Sequence, residues 1–290
     1  IGMFDGVQLG HQQVIRQAVS DAHQLESSSL CVTFDKHPAT IIAPERAPLL
    51  IQSLDQRLEA IRALGVNATL ILPFDEAMSQ IPAEAFIQGL AVDLGRISSI
   101  CVGAQFAFGQ GRKGNVKLLH QLGQELNFVA HGTASVALDG ETVSSTRIRQ
   151  AIAGGQLDLA GQMLGREYAL AGKVIRGDQR GRELGFPTAN LEITGRCTPP
   201  NGVYAAHAEV DSKPYRAAVN IGLRPTLKDP EPVLHVEAYL LDFDGEIYDR
   251  VCTLTFVGKL REEQSFDSLD GLRAQIEKDV VQARYLFTQL

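Results

Sequence analysis

Gly181-Arg-Glu-Leu-Gly-Phe-Pro-Thr-Ala-Asn190 sets two glycines ahead of a proline, a hydroxyl and an amide. Glycines let backbone N–H groups approach a phosphate closely, and Thr188 and Asn190 offer the hard oxygen ligands that Mg²⁺ accepts beside a nucleotide. On composition alone, a plain turn entering a strand is the commoner meaning of such a run. Its surroundings decide the fold. From Gly165 and Arg166 onward, Tyr168–Ile175, Gly202–Val210, Tyr215–Ile221 and Val251–Val257 are short β-rich runs bounded by Gly, Pro, Asn and Asp. Strands at this spacing without intervening helices predict antiparallel β structure, a small barrel, with a domain boundary near Gly165.

Before that boundary the texture differs. Leu30–Phe34, Ala68–Leu72 and Ser99–Val102 read as buried strands, separated by helical patterns at Leu54–Leu64, behind the cap Ser53, and at Pro82–Leu94, ahead of Gly95. This alternation predicts a mostly parallel sheet with helices on both faces. The chain opens Ile1-Gly-Met-Phe-Asp-Gly-Val-Gln-Leu-Gly-His11, then carries Val14, Ile15, Ala18 and Val19 on one helical face. A glycine-containing turn that delivers a histidine to a helix N-terminus suits a triphosphate, because free N–H groups and the helix dipole both favour anions there. A parallel sheet needs a strand before this turn, so part of the natural N-terminus is expected to be missing.

Two further stretches stand out. Phe108-Gly-Gln-Gly-Arg-Lys-Gly114 matches Gly-x-Gly-x-x-Gly, but it lies late in this half, and no acidic residue follows about 20 positions later at a strand end to hold a ribose. It reads instead as a basic loop suited to phosphate, or as a solvated one. Val143-Ser-Ser-Thr-Arg-Ile-Arg149 puts hydroxyls at a helix start, where they cap it and can donate to phosphate, with Arg149 in reach of the same anion. A generic capped helix looks the same.

The chain has 290 residues, enough for two domains of about 100 to 200 residues each. Its 44% apolar and 21% charged residues are those of a globular protein, and a net charge of -7 argues against a general nucleic-acid or anionic-membrane surface. No apolar run approaches the ~18 residues that span a bilayer. Cys31, Cys101, Cys197 and Cys252 form no Cys-x-x-Cys pair, which predicts reduced, buried thiols in a cytoplasmic protein.

In Val233-Leu-His-Val-Glu-Ala-Tyr-Leu-Leu241, alternation puts Leu234, Val236, Ala238 and Leu240 on one face and His235, Glu237 and Tyr239 on the other. A mid-strand acid between His and Tyr is a candidate general base, or an ordinary solvent-facing glutamate. Phe266, Leu269, Leu272, Ile276 and Val280 fall at helical spacing and predict a helix over Phe266–Leu286 packed on the barrel.

Together these pieces resemble the bacterial bifunctional riboflavin kinase/FMN adenylyltransferases, or FAD synthetases, over essentially the whole chain. That family opens Gly-x-Phe-Asp-Gly-Val-His-x-Gly-His, matched here at Phe4, Asp5, Gly6, Val7, Gly10 and His11. Its Ile-Ser-Ser-Thr-x-x-Arg is matched at Ser144, Ser145, Thr146 and Arg149, and Phe34 with His37-Pro38 matches a further element. Gly181–Asn190 is similar to the riboflavin kinase signature almost residue for residue, and Asn220–Thr226 and Val236–Phe243 also follow the family pattern.

The resemblance implies a Rossmann-like nucleotidyltransferase domain over 1–165 and a riboflavin kinase β-barrel with a C-terminal helix over 166–290. It implies ATP-dependent phosphorylation of riboflavin to FMN and adenylylation of FMN to FAD, with Mg²⁺ as cofactor and ATP as co-substrate. Glu237 would activate the riboflavin hydroxyl, Thr188 and Asn190 would hold the metal, and the Gly181 to Gly185 loop would cover the phosphates. His11 would serve adenylyl transfer, with Gly6, Gln8, Gly10, Ser144, Ser145, Thr146 and Arg149 around the ATP phosphates. Gln105, Arg261 and Phe266 would meet the flavin, and His235 is structural or flavin-adjacent. The expected partners are riboflavin, FMN and ATP, without nucleic acid or membrane, and a homo-oligomer is left open.

Two positions depart from the pattern. Gln8 replaces the first histidine of His-x-Gly-His, and Gln105 stands where the family has Asp or Asn. Adenylyl transfer in this class has no covalent intermediate and rests on positioning and charge stabilisation. A glutamine can donate a hydrogen bond but cannot carry a proton's charge, so the step is expected to be present but weakened. One rival reading keeps only the kinase, with a degenerate N-terminal module; another is a flavin-binding protein without turnover.

Overall fold

The structure, a computed structural model, describes residues 1–177, 180–224 and 233–289. It divides into two compact units, Ile1–Ile148 with Met163–Gly165, and Arg149–Gln162 with Arg166–Leu290.

In the first unit, β1 (Leu30–Phe34) pairs in parallel with β2 (Ala68–Leu72), and β3 (Ser99–Gly103) with β4 (Val129–Thr133). The segment Ile1–Met3 lies between these pairs: Gly2 N–H donates to the Val32 carbonyl at 3.0 Å, and the Ile1 nitrogen to Cys101 O at 3.3 Å. Helices Leu9–Gln24, Leu54–Arg62, Ala83–Leu94 and Val116–Leu126 accompany the strands. Ser53 starts the second of them through a capping box with Gln56, which satisfies two otherwise orphaned N–H groups. Val14 and Ile15 bury the predicted face of the first helix against Phe4, Val7, Cys31 and Cys101. The strand β4 has no apolar run to announce it, since Val129 is exposed and only Ala130 is buried. A two-residue hairpin, β5 (Ala137–Leu138) with β6 (Glu141–Thr142), follows.

The second unit is a closed antiparallel barrel. Its strands are β7 (Ala169–Ile175), β8 (Ala189–Glu192), β9 (Gly202–Val210), β10 (Lys213–Arg224), β11 (Val233–Leu240) and β12 (Val251–Arg261), in the order β10-β11-β8-β7-β12-β9. Closure leaves no unpaired sheet edge. Ala217, Val219 and Ile221 of β10 and Val236, Ala238 and Leu240 of β11 fill the buried face, as their alternation demands. The final helix runs Leu269–Leu286 and starts three residues later than its apolar spacing suggests, because Ser268 accepts from Gly271 N–H at 3.1 Å and caps it. Leu269 is consequently 70% exposed, and packing falls instead to Val280, Ala283, Leu286 and Phe287 against Ala205, Ala218, Tyr239 and Leu241. Pro225 and Thr226 of the Asn220–Thr226 pattern lie outside the described residues.

All four cysteines are buried thiols. Among the described residues, no helix is long and apolar enough to cross a membrane.

Candidate active sites

Strand register gathers the candidate residues of the barrel. One row runs Asn190–Glu237–Asn220–Val203–Arg261 across β8, β11, β10, β9 and β12, each residue directly opposite the next. Directly paired residues share a face. Adjacent strands stand about 4.8 Å apart, so Asn190 is one step from Glu237, while Arg261 lies three steps away, roughly 14 Å along the barrel. Asn190 is buried and Glu237 half-buried.

The glycine loop approaches this row through contacts that a side chain would block. A Cβ on Gly181 would collide with the Phe186 carbonyl and lie 3.2 Å from Thr188 Oγ1, and Phe186 N–H donates back to Gly181 O at 2.7 Å. Gly181 is thus required by close approach. Gly185 is required by conformation, since its φ is +87° and nothing crowds it. Gly177, outside the predicted set, completes the corner: a Cβ there would sit 2.5 Å from the Asn190 amide nitrogen. Phe186 also meets Tyr239 edge-on at 5.4 Å, tying the loop to the Glu237 face of β11.

At the far end of the row, Arg261 donates through Nε and Nη2 to the two oxygens of Asp279, each at 2.8 Å, and Gln275 donates to the same carboxylate at 2.9 Å. Asp279 is 3% exposed. The Arg261 guanidinium stands 5.9 Å from the Phe266 ring. The family resemblance runs on through Ala274–Asp279 as a region that helps to cover the flavin, but the pairing of Asp279 and Gln275 with Arg261 is not legible in the sequence, because it joins a strand end to a helix turn.

In the first unit, Asp5 fixes the opening turn. Its carboxylate accepts from Ile51 N–H at 3.1 Å and Gln52 N–H at 3.3 Å. Phe4 and Val7 are held in the left-handed region at φ 51° and 41°, conformations that cost non-glycine residues of order 1 kcal/mol or more. Gly6, at φ 85°, faces Ile51 and Leu164, with 3.1 and 3.2 Å left for any Cβ. Gln8 is the N-cap of the following helix, its Oε1 accepting from Gly10 N–H. The replacement of histidine here leaves a residue that performs the cap. Ser145 donates to Asp5 O at 3.0 Å, so the turn and the start of helix Ser145–Ala153 are neighbours, and Ser144 caps that helix by accepting from Arg147 N–H. Thr146 is exposed on its first turn. Arg149 belongs to the second unit, where its carbonyl accepts from the Cys197 thiol at 3.6 Å. Gln105 is exposed in the turn that follows β3.

His11 packs edge-on against Phe4 at 5.4 Å, and its Nδ1 is buried without a hydrogen-bond partner among the described residues. Burial lowers its pKa from 6.5 to about 4. It is therefore neutral at pH 7, with one ring nitrogen carrying the proton and able to donate. The sign for stability follows. A depressed folded-state pKa means that the neutral form is favoured by folding, so this contribution is complete above pH 6.5 and lost as pH falls through 4. From pH 7.5 to 5 the loss amounts to about 2 kcal/mol. His11→Phe is expected to flatten the decline in the first unit's melting temperature over that interval by a few degrees, measured by differential scanning calorimetry.

A barrel that aligns two amides and a carboxylate beside a glycine corner, and an α/β unit whose glycine turn opens onto a helix N-terminus, define a two-module nucleotide-handling transferase. The family profile for FAD synthetase matches residues 1–147, and that for riboflavin kinase matches residues 164–287. The chain is 37% identical over 286 residues to the bifunctional riboflavin kinase/FMN adenylyltransferase of Pseudomonas fluorescens, covering 99% of this chain and 91% of that one. The Escherichia coli K12 enzyme of the same name is 35% identical over 288 residues, with the same coverage, and that of Bacillus subtilis 168 is 33% identical over 295 residues, covering 100% of this chain and 92% of the relative. The chain belongs to the bifunctional riboflavin kinase/FMN adenylyltransferase family. Its fold also matches a crystal structure described as a macrolide-efflux protein from Streptococcus pneumoniae, at a TM-score of 0.81 and 28% identity, covering 98% of this chain and 92% of the other.

Proposed function

We propose that this chain makes FMN and FAD in two steps, with residues 166–290 phosphorylating riboflavin and residues 1–165 adenylylating the FMN. The observation that carries the reading is the row Asn190–Glu237–Asn220, which sets a carboxylate between two amides beside the Gly181 corner. Glu237 takes the proton from the terminal ribityl hydroxyl of riboflavin. The hydroxyl oxygen attacks the γ-phosphorus of ATP, the bond to ADP breaks, and FMN forms. The flavin ring lies toward Arg261 and Phe266, about three strand spacings from Glu237, an arrangement suited to an elongated substrate.

Thr188 and Asn190 would hold Mg²⁺. Both offer neutral oxygen, and the absence of a side chain at Gly177 and Gly181 lets the backbone close up against Asn190 and beside Thr188, which suits a metal held together with nucleotide phosphates. When bound, the metal neutralises phosphate charge.

In the first unit the FMN phosphate attacks the α-phosphorus of a second ATP and pyrophosphate leaves. The N-terminus of helix Leu9–Gln24, the Ser144–Thr146 hydroxyls and neutral His11 supply donors for the phosphate oxygens, and Gln105 meets the flavin. Four buried thiols support a cytoplasmic setting, and a net charge of -7 supports small-molecule substrates over nucleic acid.

Chromatographic product analysis tests both activities. Riboflavin with Mg²⁺-ATP is expected to give FMN and then FAD, FMN with Mg²⁺-ATP to give FAD, and EDTA to stop both. Accumulation of FMN without FAD, at high enzyme concentration, would reduce the chain to a kinase.

A further inference from the structure

We infer that Gln12 is a positioning residue for adenylyl transfer, holding the Phe4–Val7 turn in the shape that presents backbone N–H groups to the ATP phosphates. The inference rests on the adenylyltransferase reading above, which gives Gln12 no part. Its side chain is 8% exposed, and each of its polar atoms is engaged. Nε2 donates to Val7 O at 3.0 Å and to Leu164 O at 2.8 Å, while Oε1 accepts from Arg16 Nη2 at 3.3 Å. The two carbonyls can only accept, so they fix which way the amide faces.

What the amide holds gives it the role. Phe4, Gly6 and Val7 all have positive φ, at 51°, 85° and 41°. For a β-branched residue such as Val7 this is an outlier, and it persists only where the surroundings over-determine it. Val7 N–H donates to Phe4 O at 2.9 Å from within the turn, and Gln12, in the first turn of the helix that follows, holds the Val7 carbonyl. In a trans peptide the N–H points opposite to the carbonyl. A Val7 carbonyl drawn onto the buried amide therefore turns the Gln8 N–H away from it, at the helix N-terminus where an anion is favoured. Without Gln12 the Val7–Gln8 peptide is free to rotate out of its strained conformation, and the donor loses its aim. Gly165 keeps the amide in place from the other side. A Cβ there would lie 2.8 Å from Leu9 Cδ2 and 3.3 Å from Gln12 Nε2, and its φ is +69°, so both space and conformation require glycine beside Leu164.

The test compares Gln12→Met, Gln12→Asn and Arg16→Met in the full chain, assayed well below the melting temperature of each. Met keeps the length and removes both donors. Asn keeps the donors on an arm one methylene shorter, and Arg16→Met removes only the bond to Oε1. For FAD formation from FMN, we expect kcat/KM for ATP to fall roughly 10- to 100-fold in Gln12→Met and by a smaller factor in Gln12→Asn, with KM for FMN within about threefold of the parent, the scale for displacing a positioned group by about 1 Å. Arg16→Met should match the parent. FMN formation from riboflavin should keep its KM for ATP in every variant, because it uses the same nucleotide at the other site. The inference is overturned if Gln12→Met keeps kcat/KM for ATP while His11→Ala loses FAD formation, or if KM for ATP and KM for FMN rise together, the sign of a unit loosened throughout. Should Gln12→Met fail to fold, Gln12→Asn decides by the same two criteria. Survival of FAD formation in His11→Ala would instead remove the adenylyltransferase site beneath the inference.

Discussion

Replacing Glu237 by glutamine is expected to lower FMN formation from riboflavin by about 10²- to 10⁴-fold, the range for losing a general acid–base group, or roughly 3 to 5 kcal/mol of barrier. The two side chains are nearly isosteric, and Glu237 is half-buried on the outer face of a closed barrel, so the melting temperature should move little. The variant given FMN and Mg²⁺-ATP should still produce FAD, because the FAD synthetase family profile matches residues 1–147, well before Glu237 in the chain. Riboflavin and ATP would then yield neither product, while FMN rescues FAD synthesis. That pattern separates a lost base from a misfolded chain. Retention of more than about a tenth of the parental kcat for riboflavin would exclude Glu237 as the base.

The parts of the fold legible in the sequence are those governed by local periodicity. Two-residue alternation in Val233–Leu240 identifies the Glu237 face because Val236, Ala238 and Leu240 fill the barrel, and Ser53 announces its helix because capping is a local hydrogen bond. Locally polar or exposed sequence hides the rest. Strand β4 carries an exposed Val129 and a histidine, and Leu269 occupies a helical-spacing position yet faces solvent because the Ser268 cap rotates the packed stripe onto Ala283 and Phe287.

The candidate site divides along the same line. Gly181, Thr188 and Asn190 lie in one run, so their chemistry can be seen together, whereas the row that unites Asn190, Glu237, Asn220 and Arg261 depends on the pairing of five strands far apart in the chain. Gly177 lacks any signal in the sequence; its role is the space that it leaves for Asn190. Gln8 looks like a lost histidine, and only the helix start shows that its side chain caps Gly10.

Asp279→Ala is expected to destabilise the second unit by about 3 kcal/mol, lowering its melting temperature by roughly 10 °C. Asp279 is 3% exposed and takes two hydrogen bonds from Arg261 and one from Gln275. Its removal leaves a partly buried guanidinium facing a cavity, and breaking one side of such a pair costs more than the intact pair contributes. Arg261 retains its Nη1 hydrogen bond to the Glu262 carbonyl at 2.9 Å and can turn toward water, which holds the loss to the lower end of the usual range for buried pairs. Asp279→Asn keeps the shape and one acceptor, and should lose about half as much. Calorimetry measures the stability, and quenching of flavin fluorescence measures the second consequence. Once Asp279 no longer fixes the guanidinium near Phe266, the end of the row assigned to the flavin ring loses its orientation, so riboflavin affinity should fall in the Ala variant at temperatures where the barrel remains folded. Unchanged affinity alongside the stability loss would confine Arg261 to a structural role and remove it from the flavin site.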